Sequence, residues 1–297
     1  MHVKNPGEFD LLLVDEAHRI RKTRNTRFTP AALRSTKSQT EELLEAGRVV
    51  VFFLDDNQSV RPDEVGSTDL IIQTARKLNI PIHTYDLQTQ FRCGGCTEYL
   101  DWINHLLGFS SRIPEYWGNQ YRFSIIDSPF SLEKIITEKD DDLERNRLVA
   151  GFCWPWSSPN PNGSLVPDVV IGEWKRPWNA KANARKRYRP ENHPYTLWAE
   201  TPTGEEQIGC VYSAQGFEFD RVGVIWGEDL VWRDDEWVAQ RQKSFDAPVR
   251  MGTADTASLL RNAYRVLLTR GVMETRVLIL DDETREHVTD CLKEVRQ

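Results

Sequence analysis

The sequence predicts an α/β protein of two lobes, each built on a parallel sheet. Three observations lead there. Apolar runs alternate with amphipathic stretches in a strand–helix–strand rhythm. The first run, FDLLLV at Phe9–Val14, is uninterrupted and ends in the carboxylates Asp15 and Glu16, the pattern of a buried parallel strand whose C-terminal edge carries chemistry. The chain's 297 residues, 39% hydrophobic and 28% charged, suffice for two ordinary globular domains.

In order along the chain, strands are expected at Leu11–Val14, Val49–Leu54 and Ile82–Leu87, separated by helices around Thr40–Ala46 and Thr68–Leu78. After Cys93 the rhythm resumes. A helix is expected over Thr97–Leu107, strands near Arg122–Ile126, Leu148–Phe152 and Val222–Trp226, a helix over Ala257–Leu268 and a strand at Arg276–Leu280. This places one lobe at 1–92 and a second at 93–297, joined near Gln90–Gly95. Cys153–Thr203, rich in Pro, Trp and Asn, reads as an insertion in the second lobe.

A formal net charge of −7 argues against nucleic-acid binding over the whole surface, so such contact must come from local basic segments. No apolar run is long enough to span a bilayer and no signal peptide is evident, which points to the cytoplasm and excludes a membrane partner. Five scattered cysteines fit reduced thiols there. Cys93 and Cys96 in RCGGC lack a second Cys/His pair at ligand spacing, so no metal ligand is assigned to them.

Chemistry-bearing residues fall at the ends of these elements. VVVFFLDDNQS brings Gln58 to a strand tip, where a glutamine amide can bond a phosphate oxygen and an attacking water. LQTQFRC places Arg92 where the lobes meet, VYSAQGFEFDRVGVI puts Gly216 and Glu218 in a turn before a strand, and RNAYRVLLTRG sets Arg270 at a helix end.

In this order the segments resemble motifs II to VI of superfamily 1 DNA/RNA helicases. The wording DEAHR, QFRCGG, YSAQGFEFDRVGVIWG and NAYRVLLTRG is similar to the Schlafen group 3-like DNA/RNA helicase domain, over nearly the whole chain. The resemblance implies two RecA-like lobes of P-loop NTPase type that couple ATP hydrolysis to movement on DNA or RNA. It gives Asp15 the role of holding Mg²⁺ through water, Glu16 that of polarising the attacking water and Gln58 that of sensing the γ-phosphate, although the glycine usual before Asp-x-x-Gln is Leu54 here. Arg92 and Arg270 would be arginine fingers. Gly216 would admit a phosphate, Glu218 would accept a ribose hydroxyl, and His18 would couple the nucleotide site to the nucleic-acid track.

The same resemblance demands G-x-x-x-x-G-K-[ST], whose amides and lysine cradle phosphates. The sequence contains no Gly-Lys dipeptide, and only a few residues precede FDLLLVDEAH. The expectation is therefore a C-terminal part of a longer ATPase, its first lobe incomplete at the N-terminus. ATP and Mg²⁺ would need an upstream segment, or a separate chain supplying it.

Two basic stretches suggest contact with single-stranded DNA or RNA. Arg19, Arg21, Lys22, Arg24 and Arg27 follow the Asp-Glu pair. In WKRPWNAKANARKRYRP, Trp174 and Trp178 alternate with cations that include Arg185, Lys186 and Arg187, a mixture suited to stacking bases and tracking phosphates. Two other readings remain. VPDVVIGEWK resembles a PD-(D/E)xK nuclease core, but Asp168 to Lys175 reads as one strand, which would send Asp168 and Glu173 to opposite faces. Alternatively the chain is non-catalytic, binding nucleic acid or complementing a partner.

Overall fold

A computed structural model describes residues 6–26, 28–87, 92–138, 145–180, 197–252 and 255–296. It forms two compact units, Met1–Leu87 and Gln88–Gln297, each treated by itself below.

The first unit contains β1 (Phe9–Val14), α1 (Gln39–Ala46), β2 (Gly47–Phe52) and α2 (Thr68–Lys77). β1 and β2 pair in parallel, Leu11 opposite Val49 and Leu13 opposite Val51. Local chemistry sets the helix starts: the Ser38 hydroxyl accepts from the Glu41 amide while the Glu41 carboxylate accepts from the Ser38 amide, and Ser67 caps α2 through the Leu70 amide.

Two expectations are corrected here. β1 is parallel but not buried, because its side chains alternate between two faces: Leu11 and Leu13 are 56% and 59% exposed, and Val49 across from Leu11 is 57% exposed. The expected strand Ile82–Leu87 is also absent; the segment pairs with no strand among the described residues, and Tyr85 and Leu87 lie in solvent. A β-prone composition makes a strand only where an edge is available to pair with it.

The second unit runs through α3 (Thr97–Leu106), β3 (Arg122–Ile125), α4 (Pro129–Thr137), β4 (Asn146–Ala150), β5 (Val169–Ile171), β6 (Trp174–Arg176), β7 (Ile208–Gly209), α5 (Val211–Ala214) and β8 (Phe219–Trp226). It continues with β9 (Leu230–Arg233), β10 (Glu236–Ala239), α6 (Ala247–Met251), α7 (Thr256–Leu268), β11 (Gly271–Ile279) and α8 (Asp282–Arg296). Its centre is an all-parallel sheet in the order β3-β11-β8-β4-β7. The C-terminal halves of the inner strands, Leu148–Ala150, Val222–Trp226 and Val277–Ile279, are apolar because both faces of the sheet are covered there.

Register assigns the faces. Leu148, Gly223 and Arg276 lie abreast, as do Ala150, Ile225 and Leu278, and this face meets Leu132 and Ile136 of α4. A Cβ on Gly223 would stand 2.5 Å from Leu148 and 2.8 Å from Ile136, so α4 sits this close only over a glycine. On the other face Phe123, Thr275 and Val222 lie abreast under α3, whose Trp102 ring is 4.8 Å from Phe123. Tyr264 of α7 stacks on Trp226 at 4.3 Å. The hairpin β9–β10 turns at Asp234 and Asp235, both at positive φ, as a two-residue turn matched to strand twist requires.

A third correction concerns β5 and β6. Asp168–Lys175 is not one strand but lies on an antiparallel hairpin, with Val170 opposite Lys175 and a turn at Gly172, φ 57°. Glycine at the turn is what allows the reversal.

Candidate nucleotide and nucleic-acid sites

In the first unit the parallel pairing carries the C-terminal ends of β1 and β2 to one edge. Backbone bonds tie the exits together: Phe53 donates to the Val14 carbonyl (2.9 Å) and Ala17 to the Phe53 carbonyl (2.8 Å). Asp15 and Glu16 leave from the first strand, Asp55 and Gln58 from the second, so the structure gathers three of the expected residues, Asp15, Glu16 and Gln58, at this edge. Glu16 takes a left-handed conformation (φ 51°), uncommon for a residue with a side chain. Its amide donates to the Asp15 carboxylate (2.9 Å), and its own carboxylate lies 2.9 Å from His18 Nε2. His18 is buried and Asp15 exposed. Gln58, 3% exposed, donates from its amide to Asp55 (2.9 Å), and Asp55 also accepts from the Asn57 amide (3.0 Å).

Gly66 explains the tightness of this corner. A Cβ there would stand 1.9 Å from the Ala17 carbonyl, and Gly66 itself donates to the Ile20 carbonyl. The basic run after His18 is balanced within the unit: Arg24 pairs with Glu42 (2.7 Å), Arg21 with Asp63 (3.2 Å) and Arg19 with Glu64 (3.6 Å). Those pairs compete with phosphate for the same guanidinium groups. Arg27 lies outside the described residues.

Among the described residues no group of three or more His, Cys, Asp or Glu is arranged to hold a metal ion. Mg²⁺ does not need one, since it keeps several waters and is held through one or two carboxylates and phosphate oxygens. The exposed Asp15 carboxylate fits that use.

In the second unit another edge collects residues, this one at the N-terminal ends of β8 and β11. Gly216 (φ 89°) and Glu218 sit in the turn before β8, both exposed, with open space where a Cβ on Gly216 would point. Arg270 stands between α7 and β11. Its Nε donates to the Val266 carbonyl (3.0 Å) and its Nη1 to the Phe217 carbonyl (3.3 Å), and Phe219 donates to the Arg270 carbonyl (2.8 Å). The guanidinium is thus moored to its own unit and 3% exposed. Arg92 opens a turn in which Cys93, Gly94 and Gly95 are all left-handed, closed by the Cys96 amide on the Cys93 carbonyl (3.1 Å). A Cβ on Gly94 would come within 2.9 Å of the Val272 carbonyl, which places the turn against the start of β11. Burial pushes the Cys93 thiol up to about 12, opposed by Arg270 and Arg92. Arg92, Gly216, Glu218 and Arg270 therefore share this edge.

The expected stacking residues are corrected. Trp174 and Trp178 are each 1% exposed and belong to the core under α4 and β4. Trp174 donates to Glu133 of α4 (2.9 Å), a carboxylate that also receives Arg176, and Trp178 donates to the Pro155 carbonyl (2.8 Å). Neither ring offers a face to a base. Arg185, Lys186 and Arg187 lie outside the described residues. The nuclease reading loses its geometry as well: Asp168 is engaged by the Ser157 amide and hydroxyl (2.7 and 2.8 Å) before β5, whereas Glu173 sits in the turn at the other end of that strand. The rings missed by the sequence reading are Trp154 and Trp156, in the loop after β4, which remain half-exposed. WPW in a proline-rich loop was their signal.

A five-stranded parallel sheet covered on both faces, with a glycine turn and a helix-end arginine on one edge, is the build of a RecA-like α/β domain. The chain belongs to the Schlafen group 3, DNA/RNA helicase domain family, whose profile matches residues 2–281. It is also similar to the uncharacterized protein YPL245W of Saccharomyces cerevisiae, 24% identical over 312 residues that cover 94% of this chain. The chain spans about 64% of that relative's length. No helix among the described residues is long and apolar enough to cross a membrane.

Proposed function

We propose that the chain forms the water-activating and charge-stabilising parts of a superfamily 1 helicase-type ATPase acting on single-stranded DNA or RNA in the cytoplasm. The observation that carries this reading is the sorting of the motif residues: Asp15, Glu16 and Gln58 onto one edge of the first sheet, Arg92, Gly216, Glu218 and Arg270 onto one edge of the second.

Each side chain has a role that suits its surroundings. Bound Mg²⁺ would neutralise charge on the phosphates of ATP. The exposed Asp15 carboxylate would hold the ion through water, and Glu16 would accept a hydrogen bond from the attacking water. Glu16 keeps its orientation through His18 (2.9 Å), which makes the histidine a positioning residue. Gln58, fixed by Asp55, would turn its amide oxygen to the terminal phosphate or the water. Arg92 and Arg270 would offset the negative charge that builds on the transferred phosphoryl group, Arg270 after exchanging a carbonyl contact for a phosphate. Gly216 leaves room for a phosphate oxygen, and Glu218 is exposed to accept a hydroxyl.

The phosphate-cradling loop is not among these 297 residues, which contain no Gly-Lys. It would come from sequence outside them, in the same polypeptide or a partner. The same observation favours a second reading, in which these residues bind nucleic acid without hydrolysing nucleotide. The test is phosphate release by a version of the protein preceded by a strand–Gly-x-x-x-x-Gly-Lys-Thr–helix segment, measured with and without oligothymidylate or oligouridylate. Stimulation by either strand is expected. Turnover indifferent to both would contradict the coupling, and no turnover at all would favour the second reading.

A further inference from the structure

The burial of Trp174 and Trp178 leaves a question of where bases could stack, and a different set of rings answers it. Trp154 and Trp156 pack against Trp178 at 6.3 and 5.9 Å, and Trp156 meets Phe152 edge-on at 5.7 Å. Phe152, Trp154 and Trp156 pack against the core and are half-buried. The row continues through the backbone: the Phe245 amide donates to the Phe152 carbonyl (2.7 Å), and the Phe245 ring is 43% exposed.

Cations stand at both ends of this row. The Arg250 guanidinium lies 5.7 Å over the Phe245 ring. At the other end the Trp154 indole donates to the Val170 carbonyl (3.0 Å), and Lys175, exposed, is the register partner of Val170. Two carboxylates of the region are already engaged within the protein, Asp168 by Ser157 and Asp246 by the Tyr212 hydroxyl. In sequence, a dense cationic stretch begins with Lys181, three residues after Trp178.

We infer that Trp154, Trp156 and Phe245, flanked by Lys175 and Arg250, form a stacking strip for the bases of a single-stranded nucleic acid. Rings anchored on the core lose little freedom when a base lies on them, and cations at either end suit a strand whose phosphates run alongside. A solvated loop would not have one indole fixed by a hydrogen bond and two packed on a buried tryptophan. The strip rests on the proposed function for the class of its partner, and adds to it the place where that partner lies.

The test uses the full chain and two labelled strands of equal length, oligothymidylate and an abasic sugar–phosphate strand, titrated at several salt concentrations. The wild type should prefer the strand with bases. Trp154→Ala and Phe245→Ala should each weaken oligothymidylate binding roughly ten-fold while leaving the abasic strand nearly unaffected. Phe245 is exposed enough for its variant to fold normally even where Trp154→Ala perturbs the loop. Replacing Lys175 and Arg250 together with Gln should lower the slope of log affinity against log salt by about 1.4, the value for two phosphate contacts on a single strand. If the wild type binds oligothymidylate but both aromatic variants bind it equally well, or if the abasic strand binds as tightly, the strip is overturned and the proposed function stands. If neither strand binds even at low salt, both fall.

Discussion

Replacing Trp178 with alanine should unfold the protein more readily rather than remove a nucleic-acid contact. The indole is 1% exposed, lies 5.5 to 6.3 Å from the rings of Phe152, Trp154 and Trp156, and donates to the Pro155 carbonyl. Burying a ring of this size removes roughly 200 Å² from water, worth about 5 kcal/mol at ~25 cal/mol per Å². Truncation of buried tryptophan typically costs about 3–5 kcal/mol, the cavity and the lost hydrogen bond included, so about 4 kcal/mol is expected. For a unit of this size each kcal/mol lowers Tm by roughly 2–4 °C, a fall of about 10 °C. The assay is thermal unfolding followed by near-ultraviolet circular dichroism, which reads the tryptophan cluster directly. A Tm within a degree or two of wild type, together with a loss of affinity for single strands, would refute the placement of this ring in the core.

Three further outcomes are expected. Gly151→Ala would bring a Cβ within 2.1 Å of the Tyr264 hydroxyl, which donates to the buried Asp229 (2.6 Å) and accepts from the Gly227 amide (2.9 Å); destabilisation of about 1–3 kcal/mol should appear in urea unfolding, and an unchanged midpoint would contradict the packing. Asp281 is held well below the usual carboxylate range, first by Arg233 and also by Thr284, so its contribution is present above pH ~4, the unfolded value, and is lost as pH falls toward the folded one. The stability gap between wild type and Asp281→Asn should therefore narrow in urea titrations below about pH 4, and a constant gap would count against the ion pair. In the loop-bearing protein, Arg92→Ala and Arg270→Ala should each reduce kcat on the order of 10³-fold with KM little changed, whereas equal small effects on both constants would make them peripheral.

What could be read in advance depended on how local the information was. β4, β8 and β11 were legible because the C-terminal half of each, covered on both faces, is apolar, and α1 and α2 because amphipathic stretches separate the apolar runs. β1 was legible as a parallel strand but not as a half-exposed one, since an uninterrupted apolar run does not reveal which of its faces is covered. Ile82–Leu87 has strand composition and no partner, a property of the neighbouring chain rather than of the segment. Trp174 and Trp178 were misplaced for a related reason. The group that draws Trp174 and Arg176 inward is Glu133, more than forty residues upstream, and no spacing within the aromatic-basic stretch encodes it. The two edges that gather the candidate site residues were visible as an order of motifs. The mooring of Arg270 by the Phe217 carbonyl, and the left-handed turn that sets Arg92 beside β11, needed the folded chain.

If the residues at these two edges carry ATP hydrolysis once a phosphate loop is present, phosphate release by four proteins will show it. These are the 297-residue chain itself, the loop-bearing version, and that version carrying Glu16→Gln or Arg270→Ala. The account predicts strand-stimulated turnover only in the unmutated loop-bearing protein, with ATP still bound by the Glu16→Gln variant. Robust turnover by the 297-residue chain, or loop-bearing turnover that survives Glu16→Gln, would contradict it.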